Sequence, residues 1–389
     1  MQPHLELECT AMTHVYLVKA DGSSEPMARL HCADEAKELQ ELLAKNLELL
    51  PGDQIDPDDP RRWLLVKREM PVPDPGTGGN RWSVDFLLLD QDAIPTFVEC
   101  KRFEDTRSRR EVVGQVLEYA ANGQFYWSKE LLRGLAETAA KDRGLGLEQA
   151  LELLRPNESL SADAFFERAE ENLRQGQVRL VFLLEESPVE LRSVVLFLNG
   201  QMERSEVLLV EARQYVSEGR RVVVPSLFGY TEQARLIKRA VTVTSAGSRR
   251  KWDKGSFFAD AASKLEPHEV QALSLLYDRA ASSGCDIAWG TGKDNGSFNI
   301  KDTRLFQRSL FSVYSNGTLS VNFAWLNETE RAQQARDRLR QLLSERLQLA
   351  IPADYAQRFL TMRVGDWAPK SAHVADALEQ LLTEFRGAD

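Results

Sequence analysis

Two apolar runs, residues 81–90 and 95–103, flank the polar stretch Asp90-Gln91-Asp92, and this constrains the chain more than any other feature. Runs this short, separated by so few residues, fold back on one another as an antiparallel hairpin. Each run carries charge where burial makes charge costly. Asp85 interrupts the first, and Glu99 and Lys101 close the second. Successive strand side chains point to opposite faces, so Glu99 and Lys101 share a face while Cys100 points away. A carboxylate at Asp85 has to find a partner or pay heavily for its desolvation.

The pattern around the hairpin alternates strand and helix. Residues 12–19 read as a short β-like lead, within an N-terminal stretch 1–30. Residues 35–50 place Ala36, Leu39, Leu43, Leu47 and Leu50 at helix spacing, with Asp34 as N-cap and Pro51-Gly52 as the stop. A strand over 62–72 leads to a turn rich in proline and glycine (Pro71, Pro73, Pro75, Gly76, Gly78, Gly79). After the hairpin come a helix over 108–126, a charged helical insertion over about 128–175, a strand at 178–185, a helix at 188–202, and strands at 207–212 and 221–227. The expected fold is α/β: a mixed central sheet flanked by helices over 31–233, plus a smaller C-terminal α+β domain over 266–389. That domain reads as a helix at 267–282, strands at 286–289, 296–300, 309–314 and 318–323, and a helix at 328–349. A chain of 389 residues has room for two or three domains of about 150 each.

The two parts are joined by residues 234–265, which read as a basic linker. Acidic residues outnumber basic ones, 59 to 49, and a net charge of −10 disfavours indiscriminate adhesion to nucleic acid. Between Ala234 and Trp252, however, there is no acid, while Arg235, Lys238, Arg239, Arg249, Arg250 and Lys251 are present. This stretch is either a solvated linker or a strip that tracks phosphates. The four cysteines and five histidines are scattered, which argues against a disulfide framework, a thiolate zinc site or a histidine cluster. A metal here would be a hard cation held by carboxylates. No apolar run approaches the roughly 20 residues of a membrane span and no signal peptide is visible, so a cytoplasmic protein without a membrane partner is expected.

Asp85 and Glu99, brought together at the end of a sheet, can hold Mg²⁺, with the backbone carbonyl of Cys100 as a further oxygen. The ion would neutralise charge on a phosphodiester, and Lys101 could orient a water or help deprotonate it. A Glu-x-Lys triplet alone is common. The ordered set is specific: an acidic helix, Asp on one strand, Glu-x-Lys on the next, then a helix carrying Gln115.

This set resembles the PD-(D/E)xK, or restriction-endonuclease-like, nuclease superfamily, and within it the RecB-like branches whose helix bears a glutamine. Asp85 matches the metal-binding Asp, Glu99 and Lys101 the (D/E)xK, and Gln115 the helix glutamine, with 13 residues between Asp85 and Glu99. Val84 stands where the motif name has Pro. The resemblance spans residues 35–230 and is specific in its motifs over 83–119. It implies a Mg²⁺-dependent nuclease, with Mn²⁺ as a substitute, acting on DNA in restriction, phage defence or repair; RNA stays open as a substrate, and a homodimer is a further expectation. Relatives often carry an acid on the first helix. Of Glu35, Glu38 and Glu41, Glu35 lies nearest the apolar stripe and is the expected ligand, with Glu38 in reserve; the alternative is that all three are solvated. Arg107, Arg109 and Arg110, with Arg249, Arg250 and Lys251, are candidate contacts to the nucleic-acid backbone.

Three weaker signals remain. Val210-Glu211-Ala212-Arg213 echoes the Glu-x-Lys strand, although a Glu paired with its own Arg explains it more simply. Gly290-Thr291-Gly292-Lys293 fails the phosphate-loop template and reads as a turn. Trp289, Phe298, Tyr314, Phe323 and Trp325 are either core or a surface for stacking unpaired bases. The rival to an enzyme is a nucleic-acid or protein-binding module that keeps the fold without turnover.

Overall fold

The computed structural model describes residues 15–19, 21–32, 34–57, 59–73, 79–101, 108–155, 161–231, 238, 251–290, 292, 295–306, 308–327 and 329–386, with only the backbone of residues 36, 80, 81, 108–112 and 124. The expected hairpin is present as β4 (Asn80–Leu89) and β5 (Pro95–Lys101), antiparallel with Phe86 opposite Val98. Its turn is held by Asp90, whose Oδ1 accepts from the N–H groups of Asp92 and Ile94 at 2.9 and 3.0 Å.

Around it runs the expected mixed sheet, here of eight strands. β1 (Val15–Val18), β2 (Ser24–Leu30), β3 (Leu64–Pro73), β6 (Arg179–Leu184), β7 (Glu206–Ser217) and β8 (Arg220–Phe228) complete it. The order is β1-β2-β7-β6-β5-β4-β3, with β8 also on β7. β5, β6 and β7 are parallel to one another, so their carboxyl ends meet at one edge, the place where open α/β sheets bind ligands. The N-terminal lead is part of this sheet, because β2 pairs with β7.

The central strands are apolar on both faces, as strands covered on two sides are. Leu87, Leu89, Phe97, Leu180, Phe182 and Leu209 pack beneath the helices on one side. These include α2 (Ser108–Tyr126), α3 (Lys129–Asp142), α4 (Leu147–Leu154), α5 (Ala162–Arg174) and α6 (Val189–Gln201). Phe86, Leu88, Val98, Cys100, Val181 and Leu183 pack on the other side with Leu39, Leu43, Leu47 and Leu50.

The first helix, α1 (residues 36–49), corrects the expectation of one regular helix. It starts as a π-helical turn (Ala36–Gln40), continues as α-helix (Glu41–Lys45) and, after Asn46, resumes as a 3₁₀ turn (Leu47–Leu49). The Asn46 side-chain amide donates to the Leu42 carbonyl at 3.0 Å and closes the helix there. Spacing located the buried stripe but could not register the changes of winding.

A second sheet, antiparallel throughout, is ordered β13-β12-β11-β10-β9: β9 (Asp286–Trp289), β10 (Ser297–Lys301), β11 (Phe311–Tyr314), β12 (Leu319–Val321) and β13 (Leu360–Met362). It packs with α7 (Lys254–Lys264), α8 (Pro267–Ser282), α9 (Glu330–Leu347) and α10 (Ser371–Arg386). α7 falls inside the stretch read as a basic linker. Asp253 caps it, accepting the Ser256 N–H at 2.7 Å, and its buried Phe257 and Ala261 hold it to the core. Phe298 and Phe323 are core, and Trp289 stacks on Tyr277 of α8 at 5.8 Å. The two units touch where Arg308 meets Glu48 at 2.6 Å and Arg62 lies over the Trp325 ring. Among the described residues no helix is long and apolar enough to cross a membrane.

Candidate functional site

The register that sets Phe86 opposite Val98 brings Asp85 level with Glu99. The regular ladder stops there because Asp85 takes over the next donor: its Oδ2 accepts from the Cys100 backbone N–H at 2.7 Å. The Cys100 thiol points into the opposite apolar layer, fully buried, so only its backbone is available to the site. Burial holds that thiol well above its ordinary pKa and leaves it an unreactive neutral group.

Lys101 Nζ lies 3.0 Å from Glu99 Oε1 and 3.6 Å from Glu35 Oε1. Glu35 reaches this position by two anchors. The Cys32 N–H donates to Glu185 Oε2, just beyond β6, at 2.9 Å, and Asp34 Oδ1 accepts the Lys37 N–H at 3.1 Å as the expected N-cap. Glu38 instead faces Cys32, whose thiol is pushed up to about 12 by burial and then by Glu38.

Asp85 and Glu99 are 8 % and 4 % exposed, and Glu99 Oε2 has no hydrogen-bond partner. Burial pushes Asp85 up to about 6 despite the Cys100 N–H. Burial, and then the nearby Asp85, push Glu99 up to about 7. The two titrate as a pair that resists holding two negative charges. Burial works against the charge on Lys101, yet Glu99, Glu35 and Asp85 more than offset it and hold the ammonium above its ordinary range. Lys101 is therefore held as an ammonium between Glu99 and Glu35 in this arrangement.

One further residue belongs here that sequence reasoning passed over. Glu69 stands across β3 from Asp85, has a left-handed backbone (φ 47°), and raises the Asp85 pKa by its charge. Val84 joins one core and Phe86 the other, so the strand turns over at this point, as strands do at such irregularities. Nothing in local composition signals a left-handed glutamate. Tyr119 of α2 is core, but its phenol is also held above its ordinary pKa by burial and by Glu99. Gln115 lies one turn earlier on the same helix, half-buried.

Across the same edge, Leu184 follows Lys101 in register and Glu211 follows Leu184. Glu211 binds Arg213 at 2.9 Å and Arg192 at 2.6 Å, the internal pairing expected for the echo motif. Arg107, Arg249 and Arg250 lie outside the described residues, as do Thr291 and Lys293; Arg109 and Arg110 open α2, and Lys251 is exposed. No three His, Cys, Asp or Glu side chains among the described residues form a ready-made metal cage. Two carboxylates, one with an orphaned buried oxygen, do fit an ion that keeps several of its own waters, as Mg²⁺ does.

Fold and site together define an α/β protein with a cluster of buried carboxylates and one lysine at the carboxyl edge of its parallel strands. No family model matches the chain, and no curated protein or solved structure is similar to it.

Proposed function

We propose that the protein is a metal-dependent nuclease that hydrolyses the phosphodiester backbone of DNA in the cytoplasm. The observation that carries this reading is Glu99: a buried carboxylate level with a second one, with one oxygen unpartnered and a lysine on the other. Such a pair is costly without a further cation, which makes it a receptor for one. Asp85, Glu99 and the Cys100 carbonyl would hold Mg²⁺ or Mn²⁺, with Glu35 beside them. The ion supplies positive charge where negative charge builds up on the phosphodiester.

The chain's own groups do the rest. Lys101 donates to the attacking water or a phosphate oxygen and stays charged throughout. Glu35 and Glu99 keep its ammonium aimed, and the Cys100 N–H fixes the Asp85 carboxylate. Gln115 offers an amide to water or phosphate, and Arg107, Arg109, Arg110, Arg249, Arg250 and Lys251 are proposed to meet the nucleic-acid backbone, a sequence-independent attraction that weakens with salt.

Incubation with plasmid, single-stranded DNA and RNA, in Mg²⁺ and in EDTA, tests the proposal. Cleavage in Mg²⁺ only is expected, and its loss in Lys101→Ala with an unchanged circular dichroism spectrum. Binding without cuts on every polymer would favour the noncatalytic module. A Lys101→Ala protein that cuts like wild type would show that the site is misassigned.

A further inference from the structure

The seam between the two units gathers cations from both sides. Arg62, just ahead of β3, donates its backbone N–H to Gln91 Oε1 at 3.0 Å, while its guanidinium binds Asp59 at 3.1 Å and lies over the Trp325 ring. Trp325 ends a 3₁₀ turn (Phe323–Trp325) that starts from Asn322, whose side-chain amide donates to the Ser309 carbonyl at 3.2 Å. Next to Ser309 stands Arg308, bound to Glu48 at 2.6 Å. Arg308 lies in the loop between β10 and β11, and Lys301 is the last residue of β10. The Leu310 N–H donates to the Ile300 carbonyl at 2.9 Å and closes that loop, which brings Lys301 and Arg308 to its two feet.

Lys301 is half-buried, yet its ammonium makes no hydrogen bond or ion pair among the described residues. Asp286, opposite it on β9, is exposed and takes the Thr303 hydroxyl at 2.7 Å; Asp53 is exposed as well. Burial, then Arg308 and Arg62, hold Lys301 below its ordinary pKa against those two acids. Burial, then Arg155 and Arg308, hold Arg62 below its ordinary range although Asp59 binds it. Positive charge is thus under-compensated on both sides of the seam, which is costly for groups withdrawn from water.

We propose that the seam is a binding site for a phosphate group, carried by the free anion or by a small phosphomonoester, with Lys301 and Arg308 as donors from one unit and the Arg62 charge facing them from the other. Guanidinium and ammonium groups are the usual donors to phosphate, and small-molecule sites favour the boundary between domains. The site is separate from the carboxylate cluster. Gln91 belongs to the turn before β5 and Lys101 ends that strand, so the length of β5, about 20 Å, lies between them.

Isothermal titration calorimetry of the full chain in EDTA, with a sodium chloride blank of equal ionic strength, tests this without reference to cleavage. Inorganic phosphate should bind at one site with a dissociation constant below ~1 mM. Lys301→Met should weaken binding at least ~10-fold and Lys301→Arg should preserve it. Without phosphate, Lys301→Met should melt no lower than wild type, because it removes an uncompensated charge; a lower melting temperature contradicts that argument. Thymidine 5′-monophosphate separates the two carriers. Binding at least ~10-fold tighter than phosphate assigns the seam to an ester of this kind, and equal binding assigns it to the free anion. Wild type that gives no heat beyond the blank overturns the proposal, as does Lys301→Met that binds phosphate like wild type. A DNA duplex that displaces phosphate overturns the small-ligand assignment and puts a backbone phosphate in the seam.

Discussion

Replacing Glu99 with glutamine abolishes Mg²⁺-dependent cleavage by the proposed enzyme and makes the metal-free protein more stable at pH 8. The two effects share one cause. In the fold Glu99 titrates at about 7, against an ordinary value of 4.5, chiefly because it is buried. The folded state therefore keeps a proton that the unfolded chain has released. Stability from that proton is complete below the ordinary value and is lost as pH rises from about 4.5 to about 7, at roughly 1.4 kcal/mol per pH unit while one proton separates the states. Glutamine has no proton to lose and cannot bind the ion. Cleavage should fall at least ~10³-fold, the scale for removing a group that supports charge in the transition state. In urea unfolding, the variant's advantage over wild type should grow by about 2 kcal/mol between pH 5 and pH 8. A variant that still cuts, or an advantage equal at both pH values, contradicts the electrostatic picture.

The largest stability effect is expected far from this edge, at Arg179. Its side chain is 1 % exposed and binds Asp90 at 3.0 Å and Glu206 at 2.5 Å, with Thr96 Oγ1 at 3.2 Å. Asp90 is itself fully buried and holds the β4–β5 turn that puts Asp85 level with Glu99. Removing the guanidinium by Arg179→Ala strands that carboxylate without its cation. Breaking one side of a buried pair costs about 3–5 kcal/mol, against a total stability of about 5–15 kcal/mol. Denaturant unfolding should show this loss, and the variant should lose cleavage through partial unfolding. A loss below about 1 kcal/mol would mean that neighbouring Arg61, 3.7 Å from Asp90, takes over the charge.

The hairpin, α2 and the parallel strands were legible because alternation, helix spacing and turn residues agreed locally over residues 81–126 and 178–212. The ordered set Asp85, Glu99, Lys101 was legible for the same reason, and register brings those three together. What escaped depends on contacts distant in sequence. Ahead of the π-helical start that follows Glu35, the Cys32 amide is held by Glu185, some 150 residues on. Glu69 takes its left-handed backbone between Arg68 and Met70, whose partners on β4, Phe86 and Val84, flank Asp85. α7 was hidden by the basic residues before it, since Phe257 and Ala261 become decisive only when the second sheet is there to receive them. The charge of Lys101 follows from three carboxylates on separate elements, which no triplet motif encodes.

Diffraction from crystals soaked in Mn²⁺, with anomalous differences measured at the manganese edge, tests the central claim most directly. The account predicts one peak in contact with a carboxylate oxygen from Asp85 and one from Glu99, at about 2.0–2.3 Å, with the Lys101 ammonium turned toward solvent-side oxygens. Manganese bound elsewhere while Lys101 keeps its 3.0 Å contact with an otherwise unliganded Glu99 would contradict it.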